Sequence, residues 1–211
     1  MSRDTEVIKQ LARTKLEYFA WLALGWVRPP QAYRPSPALS ILSDMLERCY
    51  AGEVKRLIIN MPPYSLKSFY ASVAFPAWVF AQKPTTRITC YTANREAARD
   101  QHALSTDLMT HNSYRLLFPH VNLTSTHCQS IDLIHGGSRM AAVASTHNGV
   151  SRLRPGQGSD IVIVDDPVSP TDASRIHNQQ GIRRWFDRKV YQRLDTRTCS
   201  RVSCARTRIR L

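Results

Sequence analysis

The sequence predicts an α/β fold, a mostly parallel sheet flanked by helices, and three runs carry that expectation. Leu57-Ile58-Ile59 is a short apolar run with β-branched residues, long enough for a buried strand and too short for a helix. Arg87-Ile88-Thr89-Cys90-Tyr91 forms a second strand. Asp160-Ile161-Val162-Ile163-Val164-Asp165-Asp166-Pro167 holds four β-branched residues that end in paired carboxylates. A run apolar on both faces suits a central parallel strand covered by helices.

The first run leads into chemistry. Asn60 to Pro63 break the strand, because proline cannot donate to a sheet ladder and pushes its predecessor toward extended geometry. Lys67 and Ser68 follow, then Phe69, Tyr70, Ala71, Val73 and Ala74, a plausible helix start. Strand, tight loop, Lys-Ser and helix is the order of a phosphate-binding P-loop. There, backbone N–H groups and the helix N-terminus face an anion, lysine adds a mobile charge, and the hydroxyl can ligate Mg²⁺. Aligned on Lys67-Ser68, the pattern G-x-x-x-x-G-K-[ST] would place glycine at Met61 and at Leu66, and neither is glycine. In open parallel sheets ligands sit beyond the carboxyl ends of the strands, where Asp165 and Asp166 fall. P-loop enzymes put an Mg²⁺-holding carboxylate there, and hydrolases add a second acid that orients or deprotonates water. An Asp-Asp-Pro turn or cap is the plain alternative.

An ordered set of segments resembles the ATPase half of a phage terminase large subunit, the motor that packages viral DNA. It runs from Gly52 through Pro63 to Leu66-Lys67-Ser68, then Phe75-Pro76-Ala77-Trp78, Tyr91-Thr92-Ala93-Asn94, and Asp160 to Pro170. Trp185-Phe186 and Tyr191-Gln192-Arg193-Leu194 complete it, so that it spans about residues 35 to 195. In this branch the first P-loop glycine is often replaced by a Pro-Pro pair, here Pro62-Pro63. Tyr64 and Leu66 depart from the commoner P-P-R-H-G-K-S form.

The resemblance implies a RecA-like P-loop domain over residues 35–195, preceded by a helical segment (1–34); residues 196–211, where the pattern ends, read from composition as a basic, disordered tail. It implies ATP and Mg²⁺ as cofactors, with Pro63, Tyr64, Ser65, Leu66, Lys67 and Ser68 around the phosphates. Lys67 would contact the β- and γ-phosphates. Ser68 and Asp165 would hold the metal, and Asp166 would orient the attacking water, a place where terminases commonly carry glutamate. Terminases contact adenine just upstream of the P-loop, where Tyr33 is the candidate. They also have a mobile segment ahead of the acid strand, and some reach a neighbouring subunit's ATP with an arginine there. Arg152 and Arg154, within the basic, glycine-rich stretch from Gly149 to Gly158, are the candidates. The implied partners are double-stranded DNA, a small subunit and a portal protein, within a homo-oligomeric ring in the bacterial cytoplasm and transiently at the procapsid.

Composition agrees with a nucleic-acid partner. The 211 residues carry a formal net charge of +13, part of it concentrated from Arg183 onward. Five scattered cysteines without C-x-x-C or zinc-finger spacing make a disulfide or zinc framework unexpected, and Cys128 beside His127 is expected to be a buried thiol. The N-terminus is too mixed in charge for a signal peptide, and the longest apolar stretch, Tyr18 to Val27, falls short of the roughly 20 residues that span a bilayer. A soluble intracellular protein is expected.

Taken in order, residues 4–27 read as one helix, its Trp21-to-Val27 cluster assigned to the core. A second helix starts at the Pro35-Ser36-Pro37 segment and runs through Tyr50, closed by Gly52. Asn94 caps a helix over 95–110. Ile131–Ile134 and Met140–Ala144 form a hairpin across His135-Gly136-Gly137-Ser138, a turn and not an oxyanion hole, since no G-x-S-x-G is present. Asp172 to Tyr191 reads as a helix. Thr196 to Leu211 holds no acid and no apolar run, where a terminase would continue with a further strand and an acid-bearing nuclease domain. Nuclease activity is therefore expected to be absent. A truncated remnant that binds nucleotide or nucleic acid without turnover, and a helicase-like ATPase, are the competing readings.

Overall fold

A computed structural model describes residues 3–28, 36–144, 158–168, 180–181, 184–190 and 200–206. Three helices lead: α1 (Arg3–Thr14), α2 (Leu16–Val27) and α3 (Pro37–Tyr50). The single helix expected over 4–27 is two, because Lys15 is extended. A tertiary contact decides this. Glu47 of α3 takes the first free amide of α2 (Leu16 N, 2.8 Å) and pairs with the Lys15 ammonium at 3.2 Å, acting as an N-cap supplied from another helix. Pro37 opens α3 and Gly52, at φ +79°, follows its end, as expected.

Strand β1 (Arg56–Met61) runs into the loop that precedes α4 (Lys67–Phe69). A π-helical stretch, Tyr70–Ala74, and α5 (Phe75–Gln82) then continue the helix to β2 (Arg87–Thr92). Helix α6 (Arg95–Thr110) begins where the Asn94 side chain accepts from Ala97 N at 2.8 Å. Helix α7 (Asn112–Leu117) and strand β3 (Leu123–Thr126) lack a distinct sequence signal. They precede the expected hairpin, β4 (Ser130–Leu133) and β5 (Ser138–Val143). Strand β6 (Ile161–Asp165) follows. The described parts of the helix expected over 172–191 are helical, with Phe186–Val190 π-helical.

The last strand, β7 (Ser200–Arg206), corrects an expectation. Residues 200–206 of the tail read as disordered enter the sheet between β1 and β6, paired in parallel with both. A bare Arg/Ser/Cys alternation carries no apolar signal, but a slot with open backbone partners on both sides supplies the pairing that the sequence lacks. The sheet order is β1-β7-β6-β2-β5-β4-β3. The first five strands are mutually parallel, and β4 and β3 are antiparallel. This is a mixed α/β sheet flanked by helices, as the sequence predicts.

Alternation along the central strands sorts their side chains between two faces. Ile88 and Cys90 of β2, with Ile161 and Ile163 of β6, join the larger core beneath α2, α3, α5 and α6. Tyr91, Val162 and Val164 meet Trp185 and Val190 on the other face. Residues of α1 and α2 (Ala12, Leu16, Phe19, Ala20) belong to the larger core, so the N-terminal helices are packed into the same body as the sheet. The Trp21 cluster is only partly core. Trp21 itself is 42% exposed, whereas Phe19, Ala20 and Ala23 are buried. Cys49 and Cys90 are buried and outside any disulfide, and Cys128 is exposed, against expectation. Among the described residues, no helix is long and apolar enough to cross a membrane.

The hairpin turn is held against the loop before β2. A Cβ on Gly137 would lie 2.1 Å from the Pro84 carbonyl oxygen and 2.9 Å from that of Thr86. Neither is a side chain that can swing away. Gly137→Ala is therefore expected to destabilise by more than about 2 kcal/mol, read as a lowered midpoint in urea unfolding, whereas an unchanged midpoint would mean that this contact is looser than described.

Candidate functional site

The site lies at the carboxyl ends of β1 and β6, and strand periodicity builds it. Asp165 continues the alternation of Ile161 and Ile163, so its side chain enters the face covered by the π-helical stretch and α6. There its Oδ2 accepts from Gln101 Nε2 at 2.8 Å and from Ser72 Oγ at 3.3 Å. The nearby Ser68 hydroxyl also favours the ionised form of this carboxylate. Lys67 Nζ stands 3.7 Å from Asp165 Oδ1 and 3.1 Å from Asp166 Oδ1. Lys67 is 5% exposed and Asp165 3%, while the Asp166 side chain is about one-third exposed. Residues 99 positions apart thus form one buried charge cluster.

The loop between β1 and α4 has the backbone that its sequence disfavours. Tyr64 and Leu66 have φ near +60°, the left-handed region that glycine enters freely and other residues enter at a cost. Leu66 occupies the position where the P-loop pattern has glycine. The conformation is kept without the residue type, and strain of this kind gathers at functional loops. Asp166 is also left-handed (φ +44°), turning the chain sharply away after β6. Pro62 to Phe69, Arg28 and Asp166 line a cavity of about 270 Å³. That is at or below the low end of the roughly 300–1,000 Å³ of small-molecule sites, a size for phosphates and a cation more than for a whole nucleotide.

Burial pushes the Asp165 carboxyl above the ordinary aspartate range, and the Asp166 charge adds to this. Ser68, Lys67 and Ser72 pull it back. Asp165 Oδ1 has no hydrogen-bond partner. Oxygen donors of this kind, a serine hydroxyl and a carboxylate, suit Mg²⁺, which keeps several waters and needs few protein ligands. Among the described residues, no cluster of three or more His, Cys, Asp or Glu that could hold a metal occurs. The arrangement can therefore receive an oxyanion against Lys67 and the loop amides, and a hard cation against Asp165.

Of the residues singled out in the sequence, Lys67, Ser68, Asp165 and Asp166 come together, and Pro63, Tyr64, Ser65 and Leu66 line the cavity beside them. Tyr33, Arg152 and Arg154 lie outside the described residues. Sequence reading missed Arg28, Ser72, Gln101 and Arg139. Arg139 of β5 is fully buried, and its Nη2 donates to the Ser72 carbonyl at 2.9 Å, within the π-helical stretch. A π turn offsets the helical ladder and is common at functional sites. Only the polar Gln101 on the buried Ala98–Ser105 face of α6 left a sequence trace, since three-and-four spacing aligns it with that face.

No family model matches the chain, and no curated protein matches it. Seven chains of solved structures do match. One is the crystal structure of the HK97 bacteriophage large terminase, with a TM-score of 0.49 and 12% identity, over 88% of this chain and 37% of that one. This chain thus spans little more than a third of the length of that terminase.

The raised Asp165 carboxyl has a consequence for stability. Folding favours its protonated form, so the ionised form costs stability; the cost is absent below the unfolded pKa of about 4 and complete above the folded one. Asp165→Asn should therefore melt at or above the wild-type temperature at neutral pH without added metal, with the difference vanishing as the pH falls to the acid range. A lower melting temperature at neutral pH would mean that the carboxylate is a net stabiliser.

Proposed function

We propose that this chain is the ATPase portion of a phage terminase large subunit, a RecA-like P-loop domain that hydrolyses ATP to drive DNA translocation. The observation that carries the reading is the Lys67–Asp165–Asp166 cluster at the strand ends, joined to a loop whose backbone takes the glycine conformation at Leu66. The ordered terminase-like segments and the charge of +13 support the DNA-packaging assignment.

The residue roles of this reading rest on the site's chemistry and the terminase resemblance together. Without nucleotide, Lys67 is shared between the two acids. With ATP, its ammonium moves to the β- and γ-phosphate oxygens, a short transfer for a flexible side chain. Asp166 is then released from its ion pair, and being partly exposed it can accept a hydrogen bond from the water that attacks the γ-phosphorus. Aspartate is one methylene shorter than the glutamate common here, so the water sits closer to the strand end. Ser68 and Asp165 would hold Mg²⁺, which neutralises charge building on the phosphates. Arg152 or Arg154 would act on a neighbouring subunit's nucleotide, which makes a ring necessary for full turnover. DNA, a small subunit and a portal are the partners of this reading, and the host cytoplasm and procapsid are its location.

A second reading, binding without turnover, is favoured by the strained Tyr64 and Leu66. One pair of variants separates the two. Lys67→Ala should weaken ATP binding tenfold or more by equilibrium titration, roughly the loss of one charged hydrogen bond. Asp166→Asn should keep ATP binding and lower phosphate release by about a hundredfold or more. Wild-type binding with no turnover, even with DNA present, would favour the second reading. No binding at all would overturn both.

A further inference from the structure

The carboxylate that would hold the metal is itself held by a residue outside both ATP motifs. Gln101 reaches it from α6, packed there because Ala98, His102 and Ser105 put the same helix face into the core. Its backbone carbonyl oxygen accepts from Ser105 Oγ at 2.7 Å, which ties the two core-facing residues one turn apart. The side-chain amide can point only one way. Nε2 donates to Asp165 Oδ2, and the reverse orientation would set two acceptors against each other. Oε1 is thereby turned away from the carboxylate, and it is buried without a hydrogen-bond partner.

The same is true of Asp165 Oδ1. Gln101 and Ser72 both donate to Oδ2, and Oδ1 has no hydrogen bond, only the Lys67 ammonium at 3.7 Å. Two buried acceptors left open on two bonded side chains are costly and uncommon in a finished interior. A hydrated cation satisfies both, because the ion takes a carboxylate oxygen directly and its waters are donors.

We propose that Gln101 is a positioning residue of the metal site: Nε2 fixes Asp165 so that Oδ1 meets the cation, and Oε1 accepts from a water in the cation's hydration shell. The inference rests on the nucleotide-site reading given above, and it concerns how the cation is held and not whether phosphate binds.

The test is Mn²⁺ affinity in the presence of ADP, read by electron paramagnetic resonance, together with ADP affinity in EDTA and thermal melts. Gln101→Met keeps the length of the side chain and loses both polar atoms. It should weaken Mn²⁺ binding by about tenfold, as loss of an outer-shell partner does, while ADP binding in EDTA stays within about twofold. Gln101→Glu restores an acceptor but adds charge beside Asp165. It should melt lower than wild type without metal and gain more than wild type on adding Mn²⁺, a sign that a merely structural role would not produce. Wild-type Mn²⁺ affinity in Gln101→Met, or an equal loss of ADP affinity in EDTA, would overturn the inference alone. If wild type binds no ADP, or Lys67→Ala binds it equally well, the nucleotide-site reading fails and this inference fails with it.

Discussion

Everything at the site depends on one buried cation facing two carboxylates. Lys67 and Asp165 are buried and Asp166 is partly exposed, so the Lys67 ammonium is what makes the two neighbouring carboxylates tolerable. With one ammonium against two carboxylates the cluster keeps a net negative charge, so removing Lys67 leaves two buried or half-buried acids uncompensated, whereas removing Asp165 leaves a balanced pair. The cluster is thus a place where the empty protein is held together by contacts that ligand exchanges. That is also why the raised Asp165 carboxyl makes physical sense. A carboxylate that is well satisfied without metal would have little left to offer one.

The fold supplies the geometry through backbone periodicity. Five parallel strands bring the ends of β1 and β6 to the same edge of the sheet, separated by β7. Alternation sends Asp165 to the face on which the π-helical stretch and α6 pack, so Ser72 and Gln101 reach it from two helical segments. Arg139 on β5 then secures the π-helical stretch by its bond to the Ser72 carbonyl. A fully buried guanidinium bonded to a backbone carbonyl costs stability to hold.

What was legible in the sequence was what periodicity and local chemistry write. The β-branched runs at 57–59, 87–91 and 161–164 became strands, Asn94 became a cap, and Lys67 and Asp165-Asp166 met at the strand ends. What was not legible depends on tertiary partners. Lys15 breaks the first helix because Glu47, 32 residues away, pairs with it. Residues 200–206 become a strand because β1 and β6 leave a slot between them, not because their own pattern asks for one. Arg139 and Ser72 carry no motif, since a buried arginine on a strand has no local signature. Leu66 is the instructive case. The missing glycine argued against a P-loop, yet the backbone at that position is the one that a glycine would have taken.

The most direct test of the account is amide hydrogen exchange of the wild-type chain, measured by mass spectrometry with and without ATP and Mg²⁺. The account predicts slower exchange confined to two segments far apart in sequence, residues 62–72 and 161–166, and no such change with Mg²⁺ alone on the loop. Protection elsewhere, or none in either segment at saturating nucleotide, would contradict the claim that these residues form one nucleotide site.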